Sequence, residues 1–374
     1  MKRRSAFWRS LWPRLALAAY FGYAGFLGGG GDAEAYHVMG VHMAHVWENG
    51  YADFEDTIAE TGWNDPQSFA DNYMSLYYYA TEPQFDPVFF NSITVIYIHA
   101  ALYRIWMNPF MFCAFNALVS AWAIQRFIRA FRFEKYERWL IYNPVSIFYA
   151  ATHFKESLVE SLVLMAVVYW FGERKYVRAG LAWVGVWLFR LSYSPLLALV
   201  LAGKYLRRIP GRVLFGGALV MLVILPPFHW VLPHGRVGAI FSVLYMNEWT
   251  RKTITPLFGM LQPMPFTIFT DPIPSIFFTV YGLIYLPIFM GALAWMLASR
   301  RNNALITTSL LVNLLIAYFA QAQPATKGRY FAPFFPLMIA GFFSVWPEIS
   351  EALRRILGLD RVRRIRPAPR PVQT

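Results

Sequence analysis

The sequence predicts an all-α polytopic membrane protein, a bundle of roughly 9–11 transmembrane helices with a large first outer loop. Three observations carry that expectation. Hydrophobic residues make up 57% of the chain and charged residues only 15%, against about 25% charged in water-soluble domains. Apolar runs near the ~20 residues that one bilayer crossing needs recur along the chain: Leu11–Gly31, Pro109–Ile128, Val213–Val231, Ser275–Leu297 and Ala304–Ala320. Charge is also sorted by position. Residues 32–103 contain no Lys or Arg and hold eleven of the 21 acidic residues. Basic residues fall in short pieces beside the apolar runs, at 2–14, 126–138, 173–178, 204–212, 300–301 and 354–370, as the positive-inside rule places cytoplasmic loops.

Taken in order, Leu11–Gly31 follows Lys2, Arg3, Arg4 and Arg9 as a secretory signal would, but it ends in four glycines, Gly28 to Gly31. Without a small-x-small cleavage site it reads as a retained first span with a cytoplasmic N-terminus. The acidic outer loop 32–90 is rich in Tyr, Phe and Trp, which argues against disorder, and loops this long are usually functional. Runs 88–106 and 109–128 both look membrane-active. If both crossed, Arg126, Arg129, Arg132, Lys135 and Arg138 would lie outside, so 88–106 is expected to dip into the outer leaflet and only 109–128 to cross. Trp139–His153 then leads out and Leu158–Gly172 returns, which puts a second outer loop at 152–157.

Arg190 interrupts the run 179–203 and Pro195 follows it. At mid-bilayer an arginine costs about 3 kcal/mol. Two short helices meeting near the outer side are therefore expected, since broken helices are tolerated where they line a protein cavity. Runs at 213–231, 275–297, 304–320 and 331–346, with an outer loop at 234–274, complete one membrane domain over 1–350. Residues 351–374 form a cytoplasmic basic tail, Pro/Arg-rich from Arg361.

The net charge of +13 follows the spans and so points to topology and attraction for anionic lipid, not to nucleic acid. The lone Cys113 lies inside a span, so no intrachain disulfide is possible. No G-x-x-x-x-G-K-[ST] occurs, so a nucleotide site is not indicated.

On this topology the polar outliers gather at the outer face: Asp32 and Glu34, Lys155 and Glu156, Arg190, Arg251 and Lys252, Lys327 and Arg329. Ionisable residues at membrane depth are functional candidates, and converging carboxylates and cations suit a reaction that needs a base and a phosphate clamp. His37, His42 and His45 invite a metal reading, but His42 and His45 lie three apart with no further ligand evident.

Asp32-Ala33-Glu34-Ala35-Tyr36 resembles the start of the first outer loop in the GT-C superfamily of polyprenyl-phosphate-sugar-dependent integral membrane glycosyltransferases, which include the mannosyltransferases and aminoarabinose transferases. That loop opens with an acidic residue in D-E-x-x-Y or D-x-x-x-Y form; Ala33 stands where the first form has its second acid. The stretch from Ala44 through Trp47-Glu48-Asn49-Gly50-Tyr51 is similar to the family's continuation. Asn143–Phe148 followed by His153–Ser157 is similar to its NP-x-x-x-F segment and acidic second outer loop. Arg190–Pro195 resembles its broken helix pair, and Gly328–Pro333 an RY-x-x-P element.

The resemblance implies a GT-C-like bundle in a bacterial inner (plasma) membrane with both termini cytoplasmic. It implies inverting transfer of a sugar from a polyprenyl-phosphate donor to a glycan, lipid or protein acceptor at the outer face. Asp32 is the expected general base, and Glu156 orients the acceptor or shares a divalent cation with Asp32; the need for a metal stays open. Lys155, Arg190 and Arg329 clamp the leaving phosphate, and Glu34, Tyr36, Arg251 and Lys327 complete the substrate-binding set. The donor's tail is expected between spans, walled by 88–106. Two alternatives stay open. One is a polysaccharide polymerase or ligase with polyprenyl-linked donors, which would tolerate loss of Asp32. The other is a lipid or solute transporter, for which repeated halves and midplane charges would be expected.

Overall fold

The computed structural model describes residues 5–27, 31–61, 87–203, 205, 209–224, 272–299, 303–319 and 331–356, and every regular element among them is helical. Helix α1 spans Ala6–Ala24 and stops short of the expected Gly31. Its end is built locally: Gly25 takes the left-handed conformation at φ 68°, and the Phe26 N–H closes on the Phe21 carbonyl at 2.9 Å. The Phe21 and Phe26 rings pack at 4.7 Å across that turn, the hydrophobic contact that accompanies a glycine helix stop.

The expected loop 32–90 is helical where it is described, as α2 (Gly31–Asn49), α3 (Phe54–Glu60) and the start of α4 (Pro87–Tyr103). The acids of α2 sit near its ends, at 32, 34 and 48. Those in the first turn favour the helix N-terminus, and the interior from Ala35 to Ala44 is free to be buried against α4. Asp53 caps α3 by accepting from the Glu55 and Asp56 N–H groups.

Helix α5 (Phe110–Phe131) ends at Arg132, a left-handed non-glycine residue at φ 51°. Two short helices follow, α6 (Glu137–Ile141) and α7 (Pro144–Ala150), the latter capped by Asn143. Helix α8 (Glu156–Val167) runs on into a π-turn at Val168–Gly172. Helices α9 (Tyr176–Phe189) and α10 (Tyr193–Ala202) are separated at Arg190, whose backbone is extended, so the break expected there is present. The rest comprises α11 (Gly211–Ile224), α12 (Pro272–Ala298), α13 (Ala304–Phe319), a 3-10 turn (Ala332–Phe334) and α14 (Phe335–Ile356). The tail expected from 351 therefore begins as helix, with Glu351 and Arg355 ion-paired one turn apart. Of the outer loop at 234–274, residues 234–271 lie outside the described residues, as do 357–374 of the tail.

Helices α1, α5, α8 and α9 form the centre, with α2 and α4 paired on one flank and α12–α14 on another. Two arginines lock α1 to its neighbours. Arg9 is held by both Glu137 carboxylate oxygens at 2.6 and 2.9 Å. Arg14, fully buried, donates to Ser120 Oγ, to Ser10 and to the Ile141 carbonyl at 2.9–3.1 Å, within Coulombic reach of Glu160. Glu160 in turn accepts from Ser146 Oγ at 2.8 Å.

Two helical stretches, Phe110–Phe131 and Ala332–Ile356, are long and apolar enough to cross a membrane. Among the described residues shorter apolar stretches also occur, Gly282–Ala298 of α12 and Tyr176–Phe189 among them. Helix α12 exposes Ile276, Val280, Leu283, Leu286, Met290 and Leu297, a lengthwise apolar ridge of the kind that marks a membrane or protein contact.

Candidate active site

The turn at 151–155 and the first residue of α8 are where charge enters the interior. The turn is held by backbone acceptors: Asn116 Nδ2 donates to the Thr152 and Phe154 carbonyls at 3.2 and 3.3 Å, and the His153 N–H donates to the Leu27 carbonyl at 3.0 Å. This fixes Lys155 at the N-cap of α8 and Glu156 as its first residue, both buried. A carboxylate there is favoured by the helix dipole.

Glu156 Oε1 meets Arg190 Nη1 at 2.5 Å. The broken backbone at Arg190 makes that contact possible, because the residue leaves the helical path and aims its guanidinium at α8. The guanidinium also lies 5.0 Å from the Tyr193 ring centroid, and Lys155 Nζ lies 5.5 Å from that of Tyr36. Both cations thus also lie over aromatic faces, which stabilise them further.

Asp32 is exposed in the first turn of α2, one turn before Tyr36 and so on a similar face. Glu34 falls nearly opposite Tyr36 on that helix, half-buried, and burial raises its carboxyl above the ordinary range. The structure thus gathers Tyr36, Lys155, Glu156 and Arg190, leaves Asp32 exposed one turn before Tyr36 and puts Glu34 on the other side of α2. Arg251, Lys327 and Arg329 lie outside the described residues.

A buried histidine group beside these residues escaped the sequence reading. His99 Nε2 and His153 Nδ1 are 3.1 Å apart, and His37 Nδ1 is 2.7 Å from the Tyr103 hydroxyl. Because His99 Nδ1 points at the Val95 carbonyl at 2.9 Å, it carries a proton. The neutral His99 ring then accepts at Nε2, and His153 is the donor. Burial lowers His37 to about 4 and holds His153 well below the ordinary histidine range.

The three histidines that invite a metal reading part company: His42 faces Thr57, His45 pairs with Glu60, and His37 turns to Tyr103. Among the described residues no group of three His, Cys, Asp or Glu is placed to hold a metal ion, and Glu156 is engaged by Arg190.

Comparison with known protein families, with characterised proteins and with solved structures returns no match. The likeness to GT-C transferases therefore rests on the residues named above.

Proposed function

We propose that the chain is a polytopic inner-membrane glycosyltransferase of GT-C type, which moves a sugar from a polyprenyl-phosphate donor to an acceptor hydroxyl at the outer face. The observation that carries this reading is the Lys155–Glu156–Arg190 group at the N-terminus of α8, with Glu156 buried and Lys155 over the ring of Tyr36, the residue one helical turn beyond Asp32.

In the reaction the acceptor oxygen attacks the anomeric carbon as the bond from that carbon to the phosphate oxygen breaks. The phosphate leaves with the bonding pair, and the acceptor proton passes to Asp32. A carboxylate within hydrogen-bond reach of the hydroxyl is sufficient for that transfer. Lys155, and the Arg190 donors not committed to Glu156, meet the charge that develops on the phosphate. Glu156 holds Arg190 in the orientation this needs. Burial of Lys155 and Glu156 strengthens the interactions that these two make. The apolar ridge on α12 and the two long apolar helices support placement in a membrane.

The test is transfer by the purified, detergent-solubilised chain from a panel of polyprenyl-phosphate sugars, with Asp32→Asn compared at an unchanged elution profile. Transfer by the wild type and a fall of about 10²–10⁴-fold in Asp32→Asn is the expected outcome. Full activity in Asp32→Asn moves the base elsewhere and favours a polymerase-like mechanism. No transfer from any donor overturns the reading.

A further inference from the structure

An open groove of about 370 Å³ runs between α6, α7, α12 and α14, lined among others by Arg138, Trp139, Tyr142, Pro144, Ile284 and Ile339. None of these residues belongs to the candidate active site. The size lies within the ~300–1,000 Å³ of ligand pockets. Its walls are mainly carbon, with Ile339 buried at the base, while Trp139 and Tyr142 are exposed, an arrangement suited to a membrane–water boundary.

Arg138 stands exposed on the groove's rim and makes no ion pair among the described residues. Its neighbours leave the rim positive. Glu137 is taken by Arg9, Lys135 lies 5.2 Å from the Tyr136 ring centroid, and Glu134 is the remaining carboxylate against Arg132, Lys135 and Arg138.

We propose that this groove holds an acyl chain of one anionic phospholipid of the cytoplasmic leaflet, with its phosphodiester bound by Arg138. Guanidinium donors match phosphate oxygens in a fork that a choline or other cationic headgroup weakens. The apolar walls add nothing to a soluble phosphate but cover a hydrocarbon tail. The inference rests on the membrane placement proposed above and is independent of the transferase chemistry.

The full chain, purified in detergent, is titrated with phosphatidylglycerol and with phosphatidylcholine of the same acyl chains, and bound lipid is counted by native mass spectrometry. One phosphatidylglycerol held about tenfold more tightly than phosphatidylcholine is expected. Arg138→Gln should remove that preference, Ile284→Trp should fill the groove and reduce retention of both lipids, and Arg129→Gln, away from the groove, should change neither. Elution profiles establish that each variant is folded. Equal retention of the two lipids, an equal loss in Arg129→Gln, or preferential retention of a polyprenyl phosphate would overturn the proposal. Alkaline carbonate extraction separates the two ideas. A chain released from membranes removes the membrane placement and the lipid site with it. A chain that stays but shows no phosphatidylglycerol preference removes the lipid site alone.

Discussion

Arg14 is a guanidinium buried in α1, supplied with partners from α5, from the end of α6 and from its own helix. Removing one member of a buried charged group strands the other, at about 3–5 kcal/mol. Arg14→Met should therefore sharply lower the melting temperature of the solubilised chain, and Arg14→Met/Glu160→Gln should recover part of the loss. His37 gives a second expectation at this scale. Its folded value of about 4 lies below the unfolded 6.5, so the unfolded state binds more protons between those limits and stability falls as pH drops through them. At pH 5 the loss from this residue is about 2 kcal/mol. Melting curves at pH 7 and pH 5 should differ, and the difference should shrink in His37→Gln; His153 keeps part of it.

At the scale of elements, α2 and α4 meet where Gly40 faces His99. A Cβ built on Gly40 would stand 2.4 Å from His99 Cβ, so Gly40→Ala must part the two helices, at a cost of about 1–3 kcal/mol. A lowered melting temperature checks this, and because alanine keeps the Cβ that is met, His99→Ala in the same chain should leave most of the loss in place. Arg132 has the opposite character. As a non-glycine residue in a left-handed helix stop, its replacement in Arg132→Gly should raise stability by about 1 kcal/mol. The break between α9 and α10 was legible because an arginine inside an apolar run leaves few alternatives. Lys155 and Glu156 stood out for the same reason. Helix α2 was not legible as a helix: its acids suggested a solvated loop, and only its interior, set against α4, is apolar enough to fold. The histidine group was hidden more deeply. His37, His99 and His153 come from three distant segments, and no local periodicity brings them together.

For the whole molecule, the sorting of charge along the sequence predicts one topology. Cysteine labelling on intact cells, in a Cys113→Ser background, reads it directly. A cysteine at exposed Tyr51 should react with a membrane-impermeant reagent, and one at exposed Lys175 should react only after the cells are opened. The reverse pattern would invert the molecule and place the candidate site on the cytoplasmic side.

The anchoring of α1 also has a consequence in time. Ser120 and Ile141 follow Arg14 by 106 and 127 residues, and synthesis at about 5–20 residues per second leaves a gap of roughly 5–25 s before those partners exist. On the proposed membrane placement, the first helix waits through that interval with an unmatched arginine, a burden of about 3 kcal/mol in lipid. Nascent chains arrested before residue 120 should therefore hold α1 loosely, open to extraction or to a membrane chaperone, and chains arrested well beyond residue 141 should hold it fast.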